Sequence, residues 1–111
     1  MNFKILSKSL IDRLPKTSGV YCFMQKLKPK NLTPTPRFGV GASLTPIYIG
    51  KAINIKDRVK NHFFQPTYKD KSFIERINKI GFMETNSEIE ALILEANLIK
   101  KYQPKFNVVW R

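Results

Sequence analysis

Acidic residues are scarce in this chain. Its 111 residues carry 8 Asp+Glu against 20 Lys+Arg, a formal net charge of +12. Such an excess opposes compaction and attracts polyanions, so nucleic acid leads as partner, ahead of an anionic membrane surface. Cysteine is almost absent. A lone Cys22 excludes an intramolecular disulfide and any cysteine-based zinc site, which suits a reducing cytosol. No apolar run is long enough to span a bilayer, and the N-terminal "MNFKILSKSLIDRLPK" is broken by charges, so it lacks a signal-peptide core. The expectation is a cytoplasmic protein with no membrane partner. Hydrophobic residues make up 42%, enough for one domain, 1–111, with one modest core.

The few acids are unevenly placed. Positions 1–56 hold ten Lys/Arg and one acid, Asp12; the other seven acids lie at Asp57 and beyond. Leu6, Leu10 and Leu14 at i, i+4, i+8, stopped by Pro15, predict a short helix over 5–14. "SGVYCFM" predicts a strand over 20–25, and "IYIG" a second ending at a turn at Gly50. Between them, 26–46 reads as a long basic loop with four prolines and two glycines. Asn54 as N-cap, with Ile55, Val59, His62 and Phe63 on one face, predicts a helix over 54–64. Phe73, Ile74, Ile77 and Ile80, with Gly81 as the C′ residue, predict another over 71–81, and "FMETN" a third strand. Ser87 and Glu90 fit a capping box opening a helix over 87–102; "KFNVVW" reads as extended. The expected fold is α/β: a small, mainly antiparallel three-stranded sheet flanked by helices.

Several residues look out of place. Glu95 has Ala91, Leu92, Leu98 and Ile99 as helix neighbours, all apolar. An unpaired carboxylate there is costly, so a cation should face it. A buried ion pair and a metal ligand are about evenly weighed on this ground alone. A single carboxylate can hold Mg²⁺, because that ion keeps waters and takes phosphate oxygens. Arg58 and His62, at i, i+4, project from one helix face. Arginine offers a fork that matches phosphate, and histidine can shuttle protons near neutral pH. A solvated arginine and a satisfied helix histidine are the plainer readings. Tyr21 and Tyr48 end similar short strands; core packing is their plainer reading, holding a water or phosphate the functional one. A tyrosine base at pH 7 would need a nearby cation to favour phenolate, and Lys51 follows the second strand. Asn107 reads locally as a turn-former.

Taken together, three ordered stretches resemble the GIY-YIG nuclease family, in particular its UvrC-type N-terminal endonuclease domains and their stand-alone relatives. These are "LPKTSGVYCF", with Gly19-Val20-Tyr21 in place of Gly-Ile-Tyr; "IYIGKAINIKDRVKNHF"; and "SEIEALILEANLIKKYQPKFNV". The resemblance runs from about Leu14 to Val108. It implies Tyr21 and Tyr48 as the motif tyrosines and Gly50, with Gly19, as backbone-turn glycines near the site. It further implies Arg58 as catalytic arginine, His62 one turn on, Glu95 as the metal ligand and Asn107 as the asparagine that fixes the site. Lys51, Lys56 and Lys60 would meet DNA. One divalent ion, Mg²⁺ or Mn²⁺, and hydrolysis of a DNA phosphodiester are the implied chemistry. Nothing in the 111 residues suggests a separate reader for a long sequence, so structured or damaged DNA is the expected substrate, in repair or recombination, with repair proteins as further partners and a bacterial-type cytoplasm as the setting. Two departures stand out: the Tyr21-to-Tyr48 connection exceeds the family's usual hairpin, and later domains of UvrC are not expected. The rival readings are a non-cleaving nucleic-acid-binding module, a partner-dependent repair subunit, and a basic structural domain with Glu95 in a salt bridge.

Overall fold

The structure, a computed structural model, describes residues 3–27 and 43–107. The elements run β1 (Lys4–Ser7), a 3-10 turn (Lys8–Arg13), β2 (Gly19–Leu27), β3 (Ser43–Ala52), α1 (Ile55–Phe64), α2 (Tyr68–Lys71), a 3-10 turn (Ile74–Arg76), β4 (Lys79–Glu84) and α3 (Glu88–Tyr102). The strands form one antiparallel sheet in the order β1-β4-β2-β3.

Central strand β2 explains the layering. Val20, Tyr21, Cys22, Phe23 and Met24 are all buried, so both faces of the sheet must be covered. Tyr21 and Phe23 pack on one face with Ile55 and Val59 of α1 and with Phe73 and Ile77. Val20, Cys22 and Ile49 pack on the other face against Ala91 and Leu98 of α3. Burial pushes the Cys22 thiol up to about 12, which leaves it an apolar filler rather than a nucleophile.

Strand β3 carries a bulge. Phe23 faces Tyr48 while Met24 faces Pro46, so Ile47 is the extra residue. The bulge lets Ile47 and Tyr48, adjacent in sequence, both pack on the α1 side. Pro46, which has no N–H to give a ladder, sits where the ladder is already irregular.

The helices start where their caps predict. The Asn54 side chain accepts from the Asp57 N–H at 3.0 Å. Ile55 and Lys56 N–H donate to the carbonyls of Thr17 and Pro15, so the 15–17 segment occupies donors at the α1 N-terminus. Ser87 Oγ accepts from the Glu90 N–H, but Glu90 reaches back to the Asn86 N–H, one residue short of a reciprocal box. α3 ends at Gln103, whose φ of 45° lies in the left-handed region, with Pro104 beyond.

Several expectations are corrected. The helix over 5–14 is strand β1 followed by a 3-10 turn, and the sheet has four strands, not three. The free edge of β4 pairs with Lys4 through Ser7, and that pairing overrides a weak helical period in a short charged segment. The helix over 71–81 is divided: Phe73, Ile77 and Ile80 are buried, but they serve a 3-10 turn and then β4. Gly81, expected as a helix C′ residue, is mid-strand opposite Cys22, and β4 starts three residues before the expected strand. The expected loop over 26–46 is shorter at both ends, because β2 runs to Leu27 and β3 begins at Ser43; its remainder, 28–42, lies outside the described residues. Residues 105–107 form a turn rather than an extended segment, and 108–110 lie outside the described residues. Among the described residues no helix is long and apolar enough to cross a membrane.

Candidate active site

Tyr21 on β2 lies directly opposite Gly50 on β3. The turn expected at Gly50 is strand: the residue is interior to β3, and its missing side chain makes room for the Tyr21 phenol. A Cβ added there would overlap the hydroxyl and stand 2.5 Å from Cζ. Gly19 likewise opens β2 rather than making a turn; a Cβ there would stand 2.8 Å from Ile55 Cδ1. Both glycines serve close approach.

From Tyr21 a polar chain runs into the core. Its hydroxyl lies 2.7 Å from His62 Nε2, and His62 Nδ1 lies 3.0 Å from Asp70 Oδ1. All three residues are buried. Tyr48 is half-buried, stacked on Phe73 at 5.2 Å, with its hydroxyl in hydrogen-bonding reach of Tyr21. The chain therefore starts at a phenol that meets solvent and ends at a buried carboxylate.

Electrostatics follow burial. Desolvation pushes the Tyr21 phenol far above its ordinary value; Tyr48 adds to the shift and Arg58 only partly opposes it. Tyr48 is raised for the same reason, with Arg58 again opposing. The cation that favours phenolate is Arg58 rather than the expected Lys51; it loses to burial, and neither phenol is a ready base by itself. Desolvation holds His62 below the usual histidine range, although Asp70 pulls the other way. His62 is thus neutral near pH 7.

Arg58 is exposed on α1, with its guanidinium acting on both phenols, whereas His62 on the same helix points into the core. Glu95 is half-buried on α3; burial raises its carboxyl, and the Lys51 charge and backbone N–H offset this. The cation expected opposite Glu95 is therefore Lys51. Beside this face runs an open groove of about 500 Å³, with Lys51, Asn54, Arg58, Ile53 and Leu92 among its walls. Lys56 is half-buried, and Lys60 is tied 2.9 Å from Asp12.

Asn107 holds the edge of β3. Its Oδ1 accepts from the Ile49 N–H at 2.7 Å, and its Nδ2 donates to the Ile49 carbonyl at 2.9 Å. The Phe106 N–H donates to the Ile47 carbonyl at 2.9 Å. The amide thus fixes the backbone between Tyr48 and Gly50.

The UvrC-like GIY-YIG domain family matches residues 39–108. The chain belongs to the GIY-YIG nuclease family. Among its relatives, the UvrABC system protein C of Borrelia duttonii (strain Ly) is 40% identical over 99 residues, covering 88% of this chain and 14% of that protein. The UvrABC system protein C of Clostridioides difficile (strain 630) is 53% identical over 68 residues, 59% of this chain and 11% of that protein. The chain therefore spans a small part of the length of these curated relatives. The solved GIY-YIG N-terminal endonuclease domain of UvrC from Thermotoga maritima, bound to its catalytic divalent cation magnesium, matches with a TM-score of 0.67. It is 36% identical and covers 91% of this chain and 94% of that one.

Within this GIY-YIG domain, Asp70 is the residue that sequence reasoning missed. Its signal was the Thr67-x-x-Asp70 capping box after Pro66, which the structure forms in full. Lys69 on α2 stands with its ammonium 5.6 Å from the Tyr48 ring centroid.

Proposed function

We propose that this domain is a metal-dependent DNA endonuclease that hydrolyses a phosphodiester to leave 5′-phosphate and 3′-hydroxyl ends. The observation that carries this reading is the chain Tyr48–Tyr21–His62, which opens beside Arg58 on the face that also presents Glu95 and Lys51.

Glu95 fits a divalent ion. It is a half-buried carboxylate raised by burial, and no group of three or more His, Cys, Asp or Glu suited to a metal occurs among the described residues. A lone carboxylate suits Mg²⁺ or Mn²⁺, which retain waters as ligands. Such an ion supplies charge stabilisation to the phosphate and the leaving oxygen.

The chain's own residues do the rest. Arg58 orients the scissile phosphate and stabilises the charge that grows on it. Tyr48, the half-exposed phenol, contacts the attacking water. As the water oxygen bonds to phosphorus, its proton passes to Tyr48 Oη. The Tyr48 proton passes to Tyr21 Oη, and the Tyr21 proton to His62 Nε2. The bond from phosphorus to the 3′ oxygen breaks, and that oxygen takes a proton from solvent. No free phenolate is needed, which suits two phenols that burial has pushed up. Asn107 keeps Tyr48 and Gly50 in register.

The basic surface gives salt-sensitive, sequence-tolerant binding, and this favours recognition of DNA structure or damage over sequence. Repair proteins are further partners, in a bacterial-type cytoplasm. Plasmid and branched DNA incubated with and without Mg²⁺ or Mn²⁺ test the reading, with wild type beside Glu95→Gln. Metal-dependent nicking lost only in the variant, with folding and DNA binding unchanged, is the expected result. Tight binding without cleavage on every substrate would instead support a non-cleaving module or a partner-dependent subunit.

A further inference from the structure

We propose that Asp70 is a positioning residue: it holds the His62 ring in its Nδ1–H form, so that the Tyr48–Tyr21–His62 chain donates inward and leaves Tyr48 Oη ready to accept a proton. The consequence for cleavage rests on the nuclease reading above; the tautomer itself does not.

The geometry fixes the direction. The Thr67 N–H can only donate, so Asp70 Oδ2, 3.1 Å away, accepts. The Asp70 N–H donates to Thr67 Oγ1 at 3.1 Å, which locks the residue in a reciprocal box. The carboxylate cannot rotate without breaking that box. Its remaining oxygen, Oδ1, lies 3.0 Å from His62 Nδ1, and a carboxylate has no hydrogen to give. Nδ1 therefore carries the hydrogen. In the neutral ring Nε2 is then bare, and it accepts from the Tyr21 hydroxyl 2.7 Å away. Tyr21 Oη is left to accept, from the Arg58 guanidinium and from the Tyr48 hydroxyl. When Nε2 takes up a proton, the imidazolium forms against the Asp70 carboxylate.

Capping alone does not account for Asp70. An N3 carboxylate performs that task exposed, yet Asp70 is 7% exposed and turned against a histidine that is 3% exposed. Removing a carboxylate from water is costly unless its partners need it there. The groups facing His62 are Tyr21 from β2, Tyr48 from β3, Arg58 from its own helix and Asp70 from α2. Of these, Asp70 is the one bonded to Nδ1.

His62 is the only histidine in the chain, so ¹⁵N-histidine NMR of the whole protein reads its tautomer without assignment. Wild type is expected to show protonated Nδ1 and bare Nε2. In Asp70→Asn the side-chain oxygen keeps Thr67, and the amide nitrogen turns to Nδ1. That forces the Nε2–H form and reverses the chain. The expected loss in kcat approaches the factor of about 10⁴ that the wrong tautomer costs a serine-protease triad, with DNA affinity unchanged. Thr67→Ala separates the roles, since it removes the cap and keeps the carboxylate: it should lower stability, keep the Nδ1–H form and nick within a few-fold of wild type.

An Nε2–H ring in wild type overturns the proposal. So does Asp70→Asn nicking at the wild-type rate, or Thr67→Ala losing as much activity as Asp70→Asn. An Nδ1–H ring in a wild type that nicks no DNA upholds the Asp70 assignment and overturns the nuclease reading instead. If Asp70→Asn fails to fold, the wild-type spectrum and Thr67→Ala still decide.

Discussion

Replacing Gly50 with alanine inserts one methyl group into the space taken by the Tyr21 phenol. The new carbon would overlap the hydroxyl and lie 2.5 Å from Cζ and 3.0 Å from Cε1. The ring has little room to retreat. It is fully buried, with Phe23, Tyr48 and His62 around it at centroid distances of 5.4, 6.3 and 5.5 Å. Forcing one extra carbon into such packing costs about 1–3 kcal/mol. If the phenol moves off His62, a buried ring nitrogen loses its partner, for a further ~1–3 kcal/mol. The sum, ~2–6 kcal/mol, is large beside the ~5–15 kcal/mol that holds a typical domain together. Urea unfolding should show that loss. Nicking should fall by at least ~10²-fold, the scale of an ångström misplacement near a reacting centre, while DNA affinity holds. In a Tyr21→Phe background the hydroxyl overlap is gone, so the stability cost of Gly50→Ala should shrink, a coupling that a double-mutant cycle measures. A Gly50→Ala protein with wild-type stability and wild-type nicking would refute the account of why glycine stands there.

Other expected outcomes concern neighbouring groups. Glu95→Gln should abolish cleavage and leave Tm at pH 7 unchanged or higher, because burial disfavours the charged form that it removes; a clear fall in Tm would point to a structural ion pair with Lys51. The folded His62 titrates below the unfolded value of about 6.5, so between the two values the unfolded chain binds more protons. Its contribution to stability is therefore complete above about pH 6.5 and is lost as pH falls through the folded value, a slope that should vanish in His62→Gln when unfolding is measured across that range. Asn107→Ala removes both bonds to Ile49 and should cost roughly 1–3 kcal/mol in urea unfolding, with slower nicking.

Much of the candidate site was legible in the sequence because its residues sit at fixed spacings on strongly patterned elements. Arg58 and His62 follow an N-cap asparagine, and Glu95 interrupts the apolar neighbours of a capped helix. β1 was not legible, since its pairing depends on β4 lying at hand, some 75 residues later in the chain. The helix expected over 71–81 failed for a related reason: Phe73, Ile77 and Ile80 are inward, but spacing alone does not say that two elements share them. Asp70 was hidden because a capping-box aspartate looks the same in sequence whether it faces water or a histidine. The role of Gly50 was misread in kind, as a turn rather than a gap, because what fills the gap is a side chain from another strand.

The Asn107 amide has a consequence beyond the reaction. Among the described residues β3 is an edge strand, and its outward backbone groups at Ile47 and Ile49 are those that another extended chain would seize. The turn at 106–107 occupies them first, offering Ile49 one acceptor and one donor as a neighbouring strand would. The same two bonds that fix the backbone beside Tyr48 leave Ile49 with no free N–H or carbonyl to offer a second copy. Slower nicking in a position-107 variant therefore has to be weighed against its state of self-association, which gel filtration reads.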